Sequence, residues 1–186
     1  MSGFRVVGST ARGRAAFLEL DELTVQGPHG DTFTRAVVRH PGAVVVVPVE
    51  GDDVLLIRQF RAAVGRSLLE VPAGKRDVAG ESPAVTATRE LEEEIGQHPG
   101  HLTKLCEFYN SPGFCDEYTH LYCATDLHPL TEARGVTAEE RAMTVERIPL
   151  AATPDLIATG EVVDAKSIIG LVLTQQLLER EGVGSF

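Results

Sequence analysis

The fifteen residues Ser82-Pro83-Ala84-Val85-Thr86-Ala87-Thr88-Arg89-Glu90-Leu91-Glu92-Glu93-Glu94-Ile95-Gly96 spell a helix that ends on the wrong charge. Ser82 suits an N-cap, Pro83 the first helical position and Gly96 the stop, so the predicted helix runs from Pro83 to Ile95. Its last turn is crowded with glutamates, although the helix dipole there favours cations and like charges three or four residues apart repel. At about 100° per residue, Glu90, Glu93 and Glu94 share one stripe, beside an apolar stripe of Ala84, Ala87, Leu91 and Ile95. The apolar stripe packs; the acidic one must face something positive. A hard divalent cation is the simplest partner, because such ions take oxygen ligands from a few carboxylates together with substrate phosphates.

Working outward from this helix, the chain alternates strand patterns with loops. On the N-terminal side, Leu68-Leu69-Glu70-Val71 leads into the glycine loop that begins at Gly74. Further back, Ala43–Val49 is a β-branched run fit for a buried strand. A turn at Glu50-Gly51-Asp52-Asp53 joins it to Val54–Phe60, which predicts a hairpin. Three short strands are predicted before that, Ala16–Leu20, Glu22–Gln26 and Thr32–Val38, with a turn at Gly27–Asp31. They are too small to bury a core alone and must pack on the rest of the chain or on another subunit. Beyond the acidic helix, Leu105–Tyr109 and Tyr118–Ala124 flank a loop at Asn110–Glu117. Met143–Leu150 is a further strand, and Asp164 opens a long terminal helix.

The segment Gly74-Lys75-Arg76-Asp77-Val78-Ala79-Gly80-Glu81, followed by seven residues and Arg89-Glu90-Leu91-Glu92-Glu93-Glu94-Ile95-Gly96, closely resembles the Nudix box. That loop-helix signature belongs to hydrolases of nucleoside diphosphates linked to another group. Two departures stand out. Six residues rather than five separate Gly74 from Glu81, and Gln97 occupies the family's aliphatic position. The extra residue falls in the loop, where insertion costs little closure entropy and leaves the helical ligands in register. The resemblance implies an α/β fold: an α/β/α sandwich with a mixed sheet, plus a small N-terminal antiparallel β segment. The expected division is an N-terminal β segment at 1–40, exchanged between subunits of a homodimer, and a catalytic domain at 41–186.

Outside the box, Gln59-Phe60-Arg61, Leu69-Glu70-Val71-Pro72-Ala73-Gly74, Asp164-Ala165-Lys166 and Pro112, sixteen residues after Gly96, resemble the ADP-ribose pyrophosphatase branch. The resemblance implies Mg²⁺-dependent hydrolysis of ADP-ribose to AMP and ribose 5-phosphate, with Mn²⁺ as an alternative metal. Other nucleoside diphosphate sugars or dinucleotides are the alternative substrates, and a non-catalytic ADP-ribose sensor is the alternative of a different class. It implies Glu90, Glu93 and Glu94 as metal ligands, with the Ala73 carbonyl, and Arg89 as the residue that orients the carboxylates. Glu81 supports the loop or an outer metal. Glu139 or Glu140, on a loop before the Met143 strand, is the expected general base, with Glu93 in competition. Substrate contacts are expected from Arg61, Pro112 and Glu117, and from Phe33 and Arg35 in the N-terminal strands. Read alone, Pro112-Gly113 is also an ordinary turn, Phe33 a core residue and Arg61 an exposed strand end.

Composition narrows the partners. A formal charge of −10 over 186 residues disfavours a nucleic-acid polyanion but not a small phosphorylated ligand, which needs only a local positive site. No apolar run approaches the roughly 20 residues needed to span a bilayer, and the start Met1-Ser2-Gly3-Phe4-Arg5 lacks a signal-peptide core, so a cytoplasmic protein with no membrane partner is expected. Cys106, Cys115 and Cys123 have no zinc-like spacing and read as reduced thiols; the six scattered histidines read as structural.

Overall fold

The computed structural model describes residues 3–131 and 142–182. Two compact units emerge, one comprising residues 1–43 and 108–119, the other residues 44–107 and 120–186.

The first unit carries a three-stranded antiparallel sheet in the order β1-β2-β3: β1 (Arg5–Ala15), β2 (Leu18–Gln26) and β3 (Thr32–Arg39). The register pairs Arg5 with Gln26 and Ala15 with Leu18 on one side of β2, and Glu19 with Arg39 on the other. β1 was not anticipated, because Arg5-Val-Val-Gly-Ser-Thr-Ala-Arg-Gly-Arg-Ala shows no apolar alternation. All eleven of its residues are exposed, and polar pairs such as Arg12–Glu22 and Arg5–Gln26 line its ladder. The two strands predicted on either side of Asp21 are one continuous strand, in which Asp21 accepts from Arg39 Nε at 3.0 Å.

The second unit is built around a seven-stranded sheet whose main path runs β10-β5-β4-β9-β8, with β6 beside β5 and β7 beside β4. Its strands are β4 (Ala43–Glu50), β5 (Asp53–Arg61), β6 (Arg66–Glu70), β7 (Ala73–Lys75), β8 (Gln97–Tyr109), β9 (Tyr118–Pro129) and β10 (Thr144–Pro149). β4 and β5 form the expected hairpin, pairing Val49 with Val54 across the turn. β4 is buried along seven of its eight residues because helices cover both faces. Val44 and Val46 point to one face, where they pack with Ala87 and Leu91 of α1 (Pro83–Glu94) and with Tyr122 and Ala124 of β9. Val47 and Leu121 point to the other, against Gly170 of α3 (Ala165–Glu181). A Cβ at Gly170 would stand 2.8 Å from Val47 Cγ2, so glycine permits the helix to approach this closely. This is the α/β sandwich expected, with a mixed sheet and the separate small antiparallel sheet.

Other differences have local causes. β8 begins at Gln97 rather than Leu105. Because β8 is an edge strand, the missing N–H of Pro99 is tolerated within it. A 3₁₀ turn (Leu150–Ala152) and the short helix α2 (Thr153–Ala158) were not expected; six residues carry too little periodicity to reveal a helix. Among the described residues no helix is long and apolar enough to cross a membrane.

Candidate active site

α1 positions the acidic stripe. Ser82 is its N-cap and accepts from Val85 N; Ile95 closes it with its N–H on Leu91 O, and Gly96 leaves the helix at φ +67°. Ala87 and Leu91 are buried as predicted, whereas Ala84 is exposed. The glutamates therefore project beside the loop that enters from β7.

Arg89 is the hub. Its Nη1 lies 2.8 Å from Glu90 Oε1 and 2.9 Å from Glu93 Oε2, and its Nε lies 3.3 Å from Glu81 Oε1. Burial alone would raise the Glu81 carboxyl, but Arg89 and the Thr86 hydroxyl, which donates to it at 2.8 Å, hold it below the usual range. Glu90 goes the other way: burial pushes its carboxyl up to about 7, helped by Glu93 and opposed by Arg89. Glu90 also folds against the glycine loop. A Cβ at Gly74 would stand 1.8 Å from Glu90 Cδ, so only glycine lets this carboxylate in. The fourth acid, Glu94, accepts from Ala73 N at 3.0 Å. Residues 73, 74, 90, 93 and 94 thus meet at one corner of the second unit.

Among the described residues, no three acidic, histidine or cysteine side chains already converge as a metal cage. The donor set nevertheless fits a cation. Three carboxylates share one guanidinium, and burial holds one of them, Glu90, up at about 7 even with Arg89 2.8 Å away. Hard oxygen donors in that state suit a divalent ion such as Mg²⁺.

Glu92 does not join this stripe. It is buried, and its Oε1 lies 2.7 Å from His98 Nδ1. Arg61, on β5, is held by Glu70 of β6: Nε to Oε1 at 3.0 Å and Nη2 to Oε2 at 2.5 Å. Burial alone would lower the Arg61 guanidinium, but Glu70 overrides it, with Glu94 and Asp164 adding to the same effect. Asp164 caps α3, accepting from Ser167 N at 2.9 Å, and Lys166 Nζ lies 2.5 Å from its Oδ1. Burial alone would raise its carboxyl; Lys166 and Ser167 keep it below the usual range.

Phe33, Arg35, Pro112 and Glu117 belong to the first unit. Arg35 lies over the Phe33 ring at 4.4 Å and donates to Thr34 O; Phe4 meets the same ring edge-on. The loop carrying Pro112 is tied to β3 by Val38 N donating to Phe114 O at 2.7 Å, and Asp116 accepts from His40 N at 2.8 Å. Glu117 Oε1 lies 3.9 Å from His40 Nε2. Glu139 and Glu140 lie outside the described residues.

The NUDIX domain family matches residues 38–166, most of the chain. The chain belongs to the Nudix family. It is 40% identical over 152 residues to the ADP-ribose pyrophosphatase of Bacillus subtilis (strain 168), covering 81% of each protein. It is 37% identical over 164 residues to the methanol dehydrogenase activator of Bacillus methanolicus, covering 88% of this chain and 86% of that one. A crystal structure of an ADP compounds hydrolase superposes with a TM-score of 0.86 over 97% of each chain at 24% identity, a likeness of fold. The Nudix chain described here is accordingly a hydrolase of that family.

Sequence reasoning gave no partner to Glu70 or to Glu92. Glu70 carried a signal, an acid between Leu69 and Val71 in an otherwise apolar strand; a carboxylate there demands a partner. Glu92 carried none, since it sits among three consecutive glutamates and only packing separates it from Glu93 and Glu94.

Proposed function

We propose that this Nudix chain hydrolyses the diphosphate linkage of ADP-ribose, giving AMP and ribose 5-phosphate, with Mg²⁺ as the metal. The observation that carries the reading is the carboxylate cluster on the loop-helix, Glu90 above all, buried against Gly74 and sharing one guanidinium with Glu81 and Glu93. The relative from Bacillus subtilis, an ADP-ribose pyrophosphatase by name, supports the substrate.

Glu90, Glu93, Glu94 and the Ala73 carbonyl would hold the metal. When bound, divalent ions supply charge neutralisation for the diphosphate and lower the pKa of the attacking water. Arg89 orients Glu90 and Glu93 through hydrogen bonds that a lysine could not make simultaneously with Glu81. Glu81 fixes Arg89 in turn. The proton of the attacking water passes to Glu139 or Glu140. Arg61 contacts phosphate, while Glu117 and the Pro112 loop, with Phe33 and Arg35 from a second subunit, complete the nucleoside and ribose contacts. In this reading the 1–40 segment is exchanged between the subunits of a homodimeric cytoplasmic enzyme, and residues 41–186 are its catalytic domain.

The deciding experiment incubates the protein with ADP-ribose, other nucleoside diphosphate sugars, dinucleotides and a nucleoside triphosphate, with Mg²⁺ or with chelator. AMP release from ADP-ribose at the highest kcat/KM, abolished by chelator, is expected. A preference for another diphosphate sugar replaces the substrate, and a preference for the triphosphate defeats the reading. Binding of ADP-ribose without turnover would instead establish a sensor.

A further inference from the structure

The strand pair β5–β6 sets an unusual row of groups on one face. Its antiparallel register places Ile57 opposite Glu70, Gln59 opposite Leu68 and Arg61 opposite Arg66, and residues directly opposite share a face. On that face Ile57 and Glu70 are buried, at 0% and 1% exposure. A carboxylate in such surroundings is costly unless paired, and Arg61 reaches back along the strand to pair with it. Glu70 takes Nε and Nη2 of the guanidinium. Arg61 Nη1 makes no hydrogen bond among the described residues, nor does the Gln59 side-chain nitrogen, which is itself buried.

Two donor nitrogens on one strand face, two residues apart, thus stand open: that of Gln59 is buried, and Arg61 Nη1 belongs to a side chain 37% exposed. An unpaired buried donor is rare in a folded protein and calls for an explanation. The row leads into the glutamate corner: just past Glu70, Val71 N donates to Ser167 Oγ, which donates to Asp164, and Ala73 N donates to Glu94 at 3.0 Å. What the open donors lack is an acceptor that accepts only. A phosphoryl oxygen is that chemistry.

We propose that the Gln59 carboxamide and Arg61 Nη1 form a donor pair for an oxygen of the substrate diphosphate, and that Glu70 is a positioning residue that holds Arg61 by its other edge. This deepens the reading of the chain as a diphosphate hydrolase and rests on it. Arg61 supplies the contact already assigned to it; Gln59 is a second binding residue, and Glu70 acts only through Arg61. The arrangement orients the phosphate without adding net charge, because Glu70 offsets Arg61.

The test uses the full chain with Mg²⁺. KM and kcat are measured for ADP-ribose, with Kd for its α,β-methylene analogue and for inorganic pyrophosphate. Gln59→Met keeps the bulk and removes the donor; it is expected to raise KM and both Kd values roughly tenfold, with Tm near that of the parent. Gln59→Glu replaces the donor by an acceptor and should be worse than Gln59→Met. Glu70→Gln is expected to raise KM about fivefold with little change in kcat, and to add nothing to KM in an Arg61→Met background. KM and Kd within twofold of the parent for both Gln59 variants would overturn the donor pair. An equal rise in KM from Glu70→Gln with and without Arg61 would overturn the positioning role. If the parent cleaves no diphosphate compound yet Gln59→Met weakens pyrophosphate binding, the hydrolase reading falls and the donor pair stands.

Discussion

Around Arg89 stand Glu81, Glu90 and Glu93, all within 3.3 Å; in contact with Arg61 stands Glu70. Both clusters are partly buried, and both join an arginine to carboxylates, yet their charge balance differs. Three ionised carboxylates against one guanidinium leave an excess of two negative charges, whereas Arg61 and Glu70 cancel. A buried cluster that cancels can stand by itself. One that does not must hold protons or attract a cation; at Glu90 burial, with Glu93 adding to it, pushes the carboxyl up to about 7.

The largest effect should come from reducing that imbalance. Glu93→Gln keeps the side-chain volume and removes one charge from the ridge, and kcat should fall at least about a hundredfold, since metal-borne charge stabilisation is worth several kcal/mol. Its circular dichroism and Tm should stay near those of the parent. Turnover within a factor of a few of the parent would show that the excess charge is not catalytic.

A pH series sharpens the same contrast. Because the Glu90 carboxyl rises from 4.5 to about 7 on folding, the folded chain holds a proton there that the unfolded chain has released across that window. With chelator present, stability should therefore fall as pH rises from about 4.5 through about 7, by at most about 3 kcal/mol. Saturating Mg²⁺ should remove or reverse the slope, and Glu90→Gln should flatten it. Thermal melts at several pH values, with and without the ion, read this directly. A metal-free Tm that climbs over the same interval would contradict the burial argument.

Removing the cation from each cluster separates them further. Arg89→Met leaves three carboxylates unopposed and should cost about 2 kcal/mol, between the surface and buried limits for ion pairs. Added Mg²⁺ should recover much of it, as judged by urea midpoints. The smallest effect belongs to the glutamate outside both clusters. Glu92→Gln loosens the contact with half-exposed His98 and should cost about 1 kcal/mol with kcat unchanged, although it neighbours Glu93 in sequence.

Much of this arrangement was legible beforehand. The caps Ser82 and Asp164, the hairpin at Gly51-Asp52 and the buried run at β4 all rest on local chemistry: a side chain that can accept N–H bonds, a turn, a β-branched run. β1 was not legible, because its strand state comes from pairing with β2 rather than from its own pattern; nor was the first half of β8, whose Pro99 is tolerated only because the strand lies at a sheet edge. At the site, the stripe of Glu90, Glu93 and Glu94 followed from helical spacing. That Glu92 turns inward to His98, and that Glu70 occupies one edge of Arg61, did not.

By itself the sequence determined the acidic loop-helix, its caps, its family and the alternation of strands around it, because each depends on residues close together along the chain. Only the tertiary structure decided which carboxylates are buried and which share one guanidinium. Both are fixed by strands and loops distant in sequence: β4 and β9 beneath the helix, Gly74 against Glu90, and Glu81 beside Arg89.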